Sequence, residues 1–91
     1  MISVDGDDVY RESTRIGYLS GTRVYDTLGA ELGYYEDDRI YNPDGDKIAY
    51  LEDGYLYVDD RKIHLDYVNE GVKGAGMSEL GKCALYVLVG A

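Results

Sequence analysis

The chain has 91 residues, eighteen acidic against nine basic side chains, a formal charge of −9, one cysteine and eleven tyrosines with no phenylalanine or tryptophan. A chain this short makes one small domain that buries only roughly 60 to 65 % of its unfolded surface, which raises the value of association with itself or a partner. The acidic balance repels phosphate and sets a nucleic-acid partner aside, and the lone Cys83 excludes an internal disulfide.

The opening MISVDGDD has no basic or apolar leader character. The longest apolar run, CALYVLV, is far shorter than the roughly 20 residues of a membrane helix. These features predict a cytoplasmic protein without membrane association.

From the first residues to about residue 68 the text repeats itself. The stretches DDVYRESTRIGYLSG, TRVYDTLGAELGYYED, DRIYNPDGDKIAYLED and GYLYVDDRKIHLDYV align with Tyr10, Tyr25, Tyr41 and Tyr57 in register, at spacings of 15, 16 and 16. A period this short, without helix-like spacing, indicates one supersecondary unit copied in tandem. Each copy opens on an aliphatic residue and a tyrosine, Val9-Tyr10, Val24-Tyr25, Ile40-Tyr41 and Leu56-Tyr57, which reads as a short strand.

A turn follows in each copy. In the third, Pro43 presets φ and Gly45 permits a positive φ; the first and fourth loops are one residue shorter. The second strand carries an aliphatic anchor (Ile16, Leu32, Ile48, Ile63), then a small residue (Gly17, Gly33, Ala49) and a second tyrosine (Tyr18, Tyr34, Tyr50). Tight turns such as LSGT and EDDR join the copies. Residues 2–67 therefore read as a meander of eight or so strands, and closing it into a ring would remove its edges.

An Arg, an aliphatic and a Tyr, a glycine turn, then IGY and an acidic turn, four times over, resembles the bacterial 4-fold β-flower domain family. The resemblance covers residues 1–68 and implies β-hairpins arranged around a pseudo-fourfold axis, in proteins whose biochemical role is mostly unassigned. The fourth copy departs from the pattern: His64 stands where the others have Gly17, Gly33 and Ala49, and Leu65 replaces the second tyrosine. The plain explanation is repacking of that copy against the C-terminal segment; the functional one makes His64 a lone ionisable group beside a repeated surface.

Beyond the repeat, residues 69–82 form a glycine-rich connector in which Ser78 is placed to cap a short helix. Residues 83–91 are apolar, and β-branching favours a strand over a helix there. This segment either plugs one face of the ring or buries itself against another subunit.

No catalytic signature is present. One histidine and one cysteine fall short of a zinc set, the acidic turns lack a calcium-loop pattern, and GVKGAG lacks the context of a phosphate loop. The expectation is an all-β single domain, 1–91, of four tandem hairpin repeats closed around a pseudo-fourfold axis, with no enzymatic activity, cofactor or metal. Its function is expected to be binding or self-assembly with a protein partner, through a face bearing Tyr10, Tyr18, Tyr25, Tyr34, Tyr41, Tyr50 and Tyr57, or through the tail. The alternative is a small-molecule or glycan site on the axis near His64.

Overall fold

A computed structural model of the chain describes residues 1–74 and 76–90; Ala75 of the connector and Ala91 lie outside the described residues. Nine strands follow one another as an antiparallel meander: β1 (Ile2–Asp5), β2 (Asp8–Arg11), β3 (Thr14–Ser20), β4 (Arg23–Asp26), β5 (Glu31–Glu36), β6 (Arg39–Tyr41), β7 (Lys47–Glu52), β8 (Tyr55–Val58) and β9 (Arg61–His64). A two-residue β10 (Val72–Lys73) adds to β1 in parallel, giving one ten-stranded sheet in the order β10-β1-β2-β3-β4-β5-β6-β7-β8-β9.

The sheet is mostly what the sequence calls for, but it is not a ring. Strands β9 and β10 end it on opposite sides and do not pair with each other. Neighbour pairing is dictated by the tight turns, whereas closure depends on accumulated curvature, which the repeat period does not encode.

The turns follow their chemistry. Asp37 and Asp38 (φ 51° and 61°) and Asp53 and Gly54 (φ 52° and 85°) occupy the left-handed region that matches the twist of a hairpin. In the two longer loops a side-chain oxygen organises the backbone: the Asp26 carboxylate accepts from the N–H of Leu28 and Ala30 at 2.9 and 3.0 Å, and the Asn42 amide carbonyl from those of Asp44 and Asp46 at 3.0 and 2.9 Å.

Strand alternation sends each opening aliphatic to one face and its tyrosine to the other. Val9, Val24, Ile40 and Leu56 are fully buried, and the first three stand opposite Gly17, Gly33 and Ala49. The aliphatics that follow the loops, Ile16, Leu32 and Ile48, are not in the ladder. Each is skipped where the register shifts, between Val9 and Tyr10, Val24 and Tyr25, and Ile40 and Tyr41, and is only half-buried.

The fourth hairpin has no such shift. Leu56 pairs with Ile63, so Ile63 rather than His64 takes the place of Gly17, Gly33 and Ala49, and His64, opposite Tyr55, takes the place of the second tyrosine. The expected alignment of His64 is therefore off by one residue, because one loop lacks its bulge.

The C-terminal part covers the apolar face. Helix α1 (Leu65–Gly71) buries Val68, and α2 (Glu79–Leu85) is capped by Ser78, whose Oγ accepts from the Gly81 N–H at 3.0 Å. A π-helical turn, Tyr86–Gly90, continues α2. The expected C-terminal strand is thus a helix. Its Cys83, Ala84 and Leu85 are completely buried in the cluster that holds Ile2, Val9, Val24, Ile40 and Leu56, with Tyr86, Val87, Leu88 and Val89 packed beside them. Arg11 of β2 donates to the carbonyls of Val89 (2.6 Å) and Gly90, placing a cation at the negative end of the helix.

Burial, with Glu79 adding to it, pushes the Cys83 thiol up to about 12 from its ordinary 9.0. Alkylation of the native chain at mildly alkaline pH is expected to be slow and to become fast in denaturant; equal rates in both would contradict this packing. The folded thiol holds its proton where the unfolded one loses it. Its contribution to stability is therefore fully present below about pH 9 and falls as pH rises from there toward 12.

Candidate functional site

The face of the sheet opposite the helices carries eight of the eleven tyrosines: Tyr10, Tyr18, Tyr25, Tyr34, Tyr41, Tyr50, Tyr55 and Tyr57, all half-buried. The other three lie elsewhere: Tyr35 and Tyr86 pack against the core, and Tyr67 on α1 is 62 % exposed. Burial raises the Tyr35 phenol above its usual range.

Cross-strand pairing stacks six of the face tyrosines. Tyr18 opposes Tyr25, Tyr34 opposes Tyr41, and Tyr50 opposes Tyr57, with ring centroids 5.1, 4.8 and 5.0 Å apart and planes within 11° to 15° of parallel. Each such pair contributes roughly 0.5–1.5 kcal/mol beyond its buried area. Among the described residues Tyr10 has no aromatic partner, since Ser3 and Arg15 stand on its two sides. The equivalent tyrosines expected in rings about an axis are found as parallel rows on an open sheet.

Each stacked pair is bracketed by charge. Read across the strands, the rows are Asp8–Tyr18–Tyr25–Glu31, Arg23–Tyr34–Tyr41–Lys47 and Arg39–Tyr50–Tyr57–Lys62. Cations lie over the rings: Arg15 is 5.5 Å from the Tyr18 centroid, Arg23 4.9 Å from Tyr34, Lys47 5.1 Å from Tyr50, and Lys62 4.2 and 6.0 Å from Tyr55 and Tyr57. Two of these cations are also ion-paired, Arg15 to Asp8 at 2.9 Å and Arg23 to Glu31 at 2.7 Å.

Arg39, Lys47 and Lys62 were not picked out as site residues from the sequence. Their signal was present: Arg39 precedes the Ile-Tyr strand opening as Arg23 precedes Val-Tyr, and Lys47 stands three residues before Tyr50 as Arg15 does before Tyr18. Only the ladder shows that these offsets converge on the tyrosines, because the bulge changes which residues face the same way.

His64 does not sit on an axis. It stands on the outer strand β9, its side chain is 56 % exposed, it meets Tyr55 edge-on at 5.2 Å, and its Nδ1 accepts from the Asp66 N–H at 3.1 Å to cap α1. Cys83, on the buried side of α2, is fully buried, whereas the His64–Asp66 pair is exposed. Among the described residues no three His, Cys, Asp or Glu side chains are grouped to hold a metal ion, and no helix is long and apolar enough to cross a membrane.

Three hollows border the rows and the end of the sheet. One of about 360 Å³ lies along Lys47, Ala49, Tyr50 and Tyr57 with Asp59 at its rim, and one of about 380 Å³ runs beside Arg61, Ile63, His64 and Tyr67. Another, about 420 Å³, is lined by Ile48, Val58, Asp59 and Arg61 together with Tyr86, Val87 and Gly90 of the π-helical turn. No family model, curated protein or solved structure matches the chain.

Proposed function

We propose that the protein is a non-catalytic binding module that engages a protein partner through its tyrosine face. The observation that carries this is the set of three stacked tyrosine pairs, each bracketed by charged side chains, on the one face of the sheet that the chain's own helices leave uncovered. Tyrosine supplies large, stiff contact area and a hydroxyl at low entropic cost, and a sheet holds such side chains in a fixed array. The C-terminal segment is the weaker docking element, since its apolar side is occupied by the sheet.

The reading extends to architecture and place. Tandem hairpins with the same Val9–Gly17, Val24–Gly33 and Ile40–Ala49 pairing support kinship with the 4-fold β-flower domains in an opened form. A reducing, cytoplasmic setting suits a free and buried Cys83. The second reading, a glycan or small-molecule site, has the groove beside His64 in its favour.

Hydroxyl-radical footprinting of the chain captured with a cell extract separates the two. Protection of the face tyrosines with Tyr67 still reactive is the expected result. Protection confined to residues 61–67 moves the site to the groove, and an unchanged pattern contradicts both.

A further inference from the structure

Charge is distributed unevenly over the tyrosine face. The first row carries acids at both ends, each neutralised by an arginine, Asp8 by Arg15 and Glu31 by Arg23. The third row, Arg39–Tyr50–Tyr57–Lys62, carries cations at both ends, and Lys47 lies over its Tyr50. Among the described residues Arg39, Lys47 and Lys62 form no ion pair, and all three are exposed. In a chain of net charge −9, the row itself carries cations and no acid between Arg39 and Lys62. Acids are close by: Glu36 stands opposite Arg39, Asp37, Asp38 and Glu52 line one hollow together with Arg39, Lys47 and Tyr50, and Asp59 lines another with Lys47, Tyr50 and Tyr57.

The stacking decides what this row offers. Tyr50 and Tyr57 each give one ring face to the other at 5.0 Å, and Lys47 and Lys62 lie over the rings at 5.1 and 6.0 Å. Ring faces, which a cationic or stacking ligand needs, are taken. What remains is electropositive ring edges, phenol hydroxyls that donate, and cationic heads, all of which suit an anion.

Building on the reading of this face as a protein-binding surface, we propose that the row takes an extended acidic segment of another protein, with carboxylates on Arg39, Lys47 and Lys62. Arg39 and Lys62 stand on β6 and β9, three strand spacings or about 14 Å apart. Same-side residues of an extended chain recur every ~6.7 Å, so glutamates at i and i+4 span about 13 Å and one at i+2 falls between them, toward Lys47. A second copy is the poorer fit, because the tyrosine face it would present carries five cations, Arg15, Arg23, Arg39, Lys47 and Lys62, against two acids in the rows, Asp8 and Glu31. Three cations with acids beside them do not form the continuous basic track that a nucleic-acid backbone follows, whereas a short acidic segment needs only separate cationic contacts.

The test is fluorescence anisotropy of the full chain with short labelled peptides of alternating Glu and Ser, of alternating Lys and Ser, and of Gly and Ser, and with a single-stranded oligonucleotide. The Glu-Ser peptide is expected to bind, to weaken with added salt, and to weaken at least about tenfold in Arg39→Gln/Lys47→Gln/Lys62→Gln, a variant confined to exposed positions whose unchanged melting serves as the folding check. Preferential binding of another peptide, lost in Tyr50→Ser/Tyr57→Ser but not in the glutamine variant, overturns the acidic partner and leaves the tyrosine-face reading standing. Tighter binding of the oligonucleotide, self-association that displaces the peptide, or no binding of any probe overturns the proposal.

Discussion

Replacing Gly33 with alanine is expected to destabilise the protein by on the order of 3 kcal/mol, from overpacking and backbone strain together. Gly33 has φ of 154°, and a Cβ there collides with the carbonyl oxygen of Tyr41 on the neighbouring strand and lies 2.8 and 2.9 Å from the Leu88 methyls. Leu88 can swing away. The Tyr41 carbonyl cannot move without parting β5 from β6, and those strands hold the Tyr34–Tyr41 stack.

Such a loss is a large share of the 5–15 kcal/mol available to a small domain and lowers Tm by roughly 10–20 °C. Ala49 occupies the matching register in the third hairpin and is buried there, so Ala49→Gly is the control, with an expected cost near 1 kcal/mol. A Gly33→Ala protein that melts within a few degrees of wild type would contradict the close approach of β6 and the C-terminal segment.

Ending the chain at Lys82 is expected to abolish cooperative folding. The cut removes Cys83, Ala84 and Leu85, all fully buried, and uncovers Ile2, Val9, Val24, Ile40 and Leu56. A single buried Leu→Ala typically costs about 2–5 kcal/mol, so loss of the whole segment exceeds what the domain holds in reserve. Thermal melting by circular dichroism with light scattering gives the answer: a truncated chain without a cooperative transition, prone to aggregate, is predicted. A folded, monodisperse monomer would mean that residues 83–91 do not cover the sheet and act instead between subunits. Leu85→Ala is the milder version, with an expected loss on the order of 3 kcal/mol.

The order of strands was legible because each aliphatic–tyrosine pair is a two-residue statement of alternation. Val24 buried and Tyr25 on the other face follow from period two alone. The bulges were not legible, since Ile16, Leu32 and Ile48 look like core anchors by residue type and only the ladder shows them skipped. The same blind spot displaced His64: without counting the bulge, residue 64 aligns with a glycine instead of a tyrosine.

The tail failed for a different reason. CALYVLV is apolar throughout, so neither period stands out, and the Ser78 cap together with burial against the sheet selected helix over the β-branched preference of Val87 and Val89. The tyrosine face was legible residue by residue in seven of its eight members. Its charge pattern required the cross-strand register that brings Arg39 of β6 and Lys62 of β9 into one row with Tyr50 and Tyr57.

The most direct test of a binding face built from these rows is a map of backbone amide shifts in the isotopically labelled protein as the Glu-Ser peptide is added. Shifts are expected to begin at Arg39, Lys47, Tyr50, Tyr57 and Lys62, to fade toward the ion-paired Asp8 and Glu31 row, and to spare α2. Shifts centred on α1 and α2, or none at concentrations where the anisotropy changes, would contradict it.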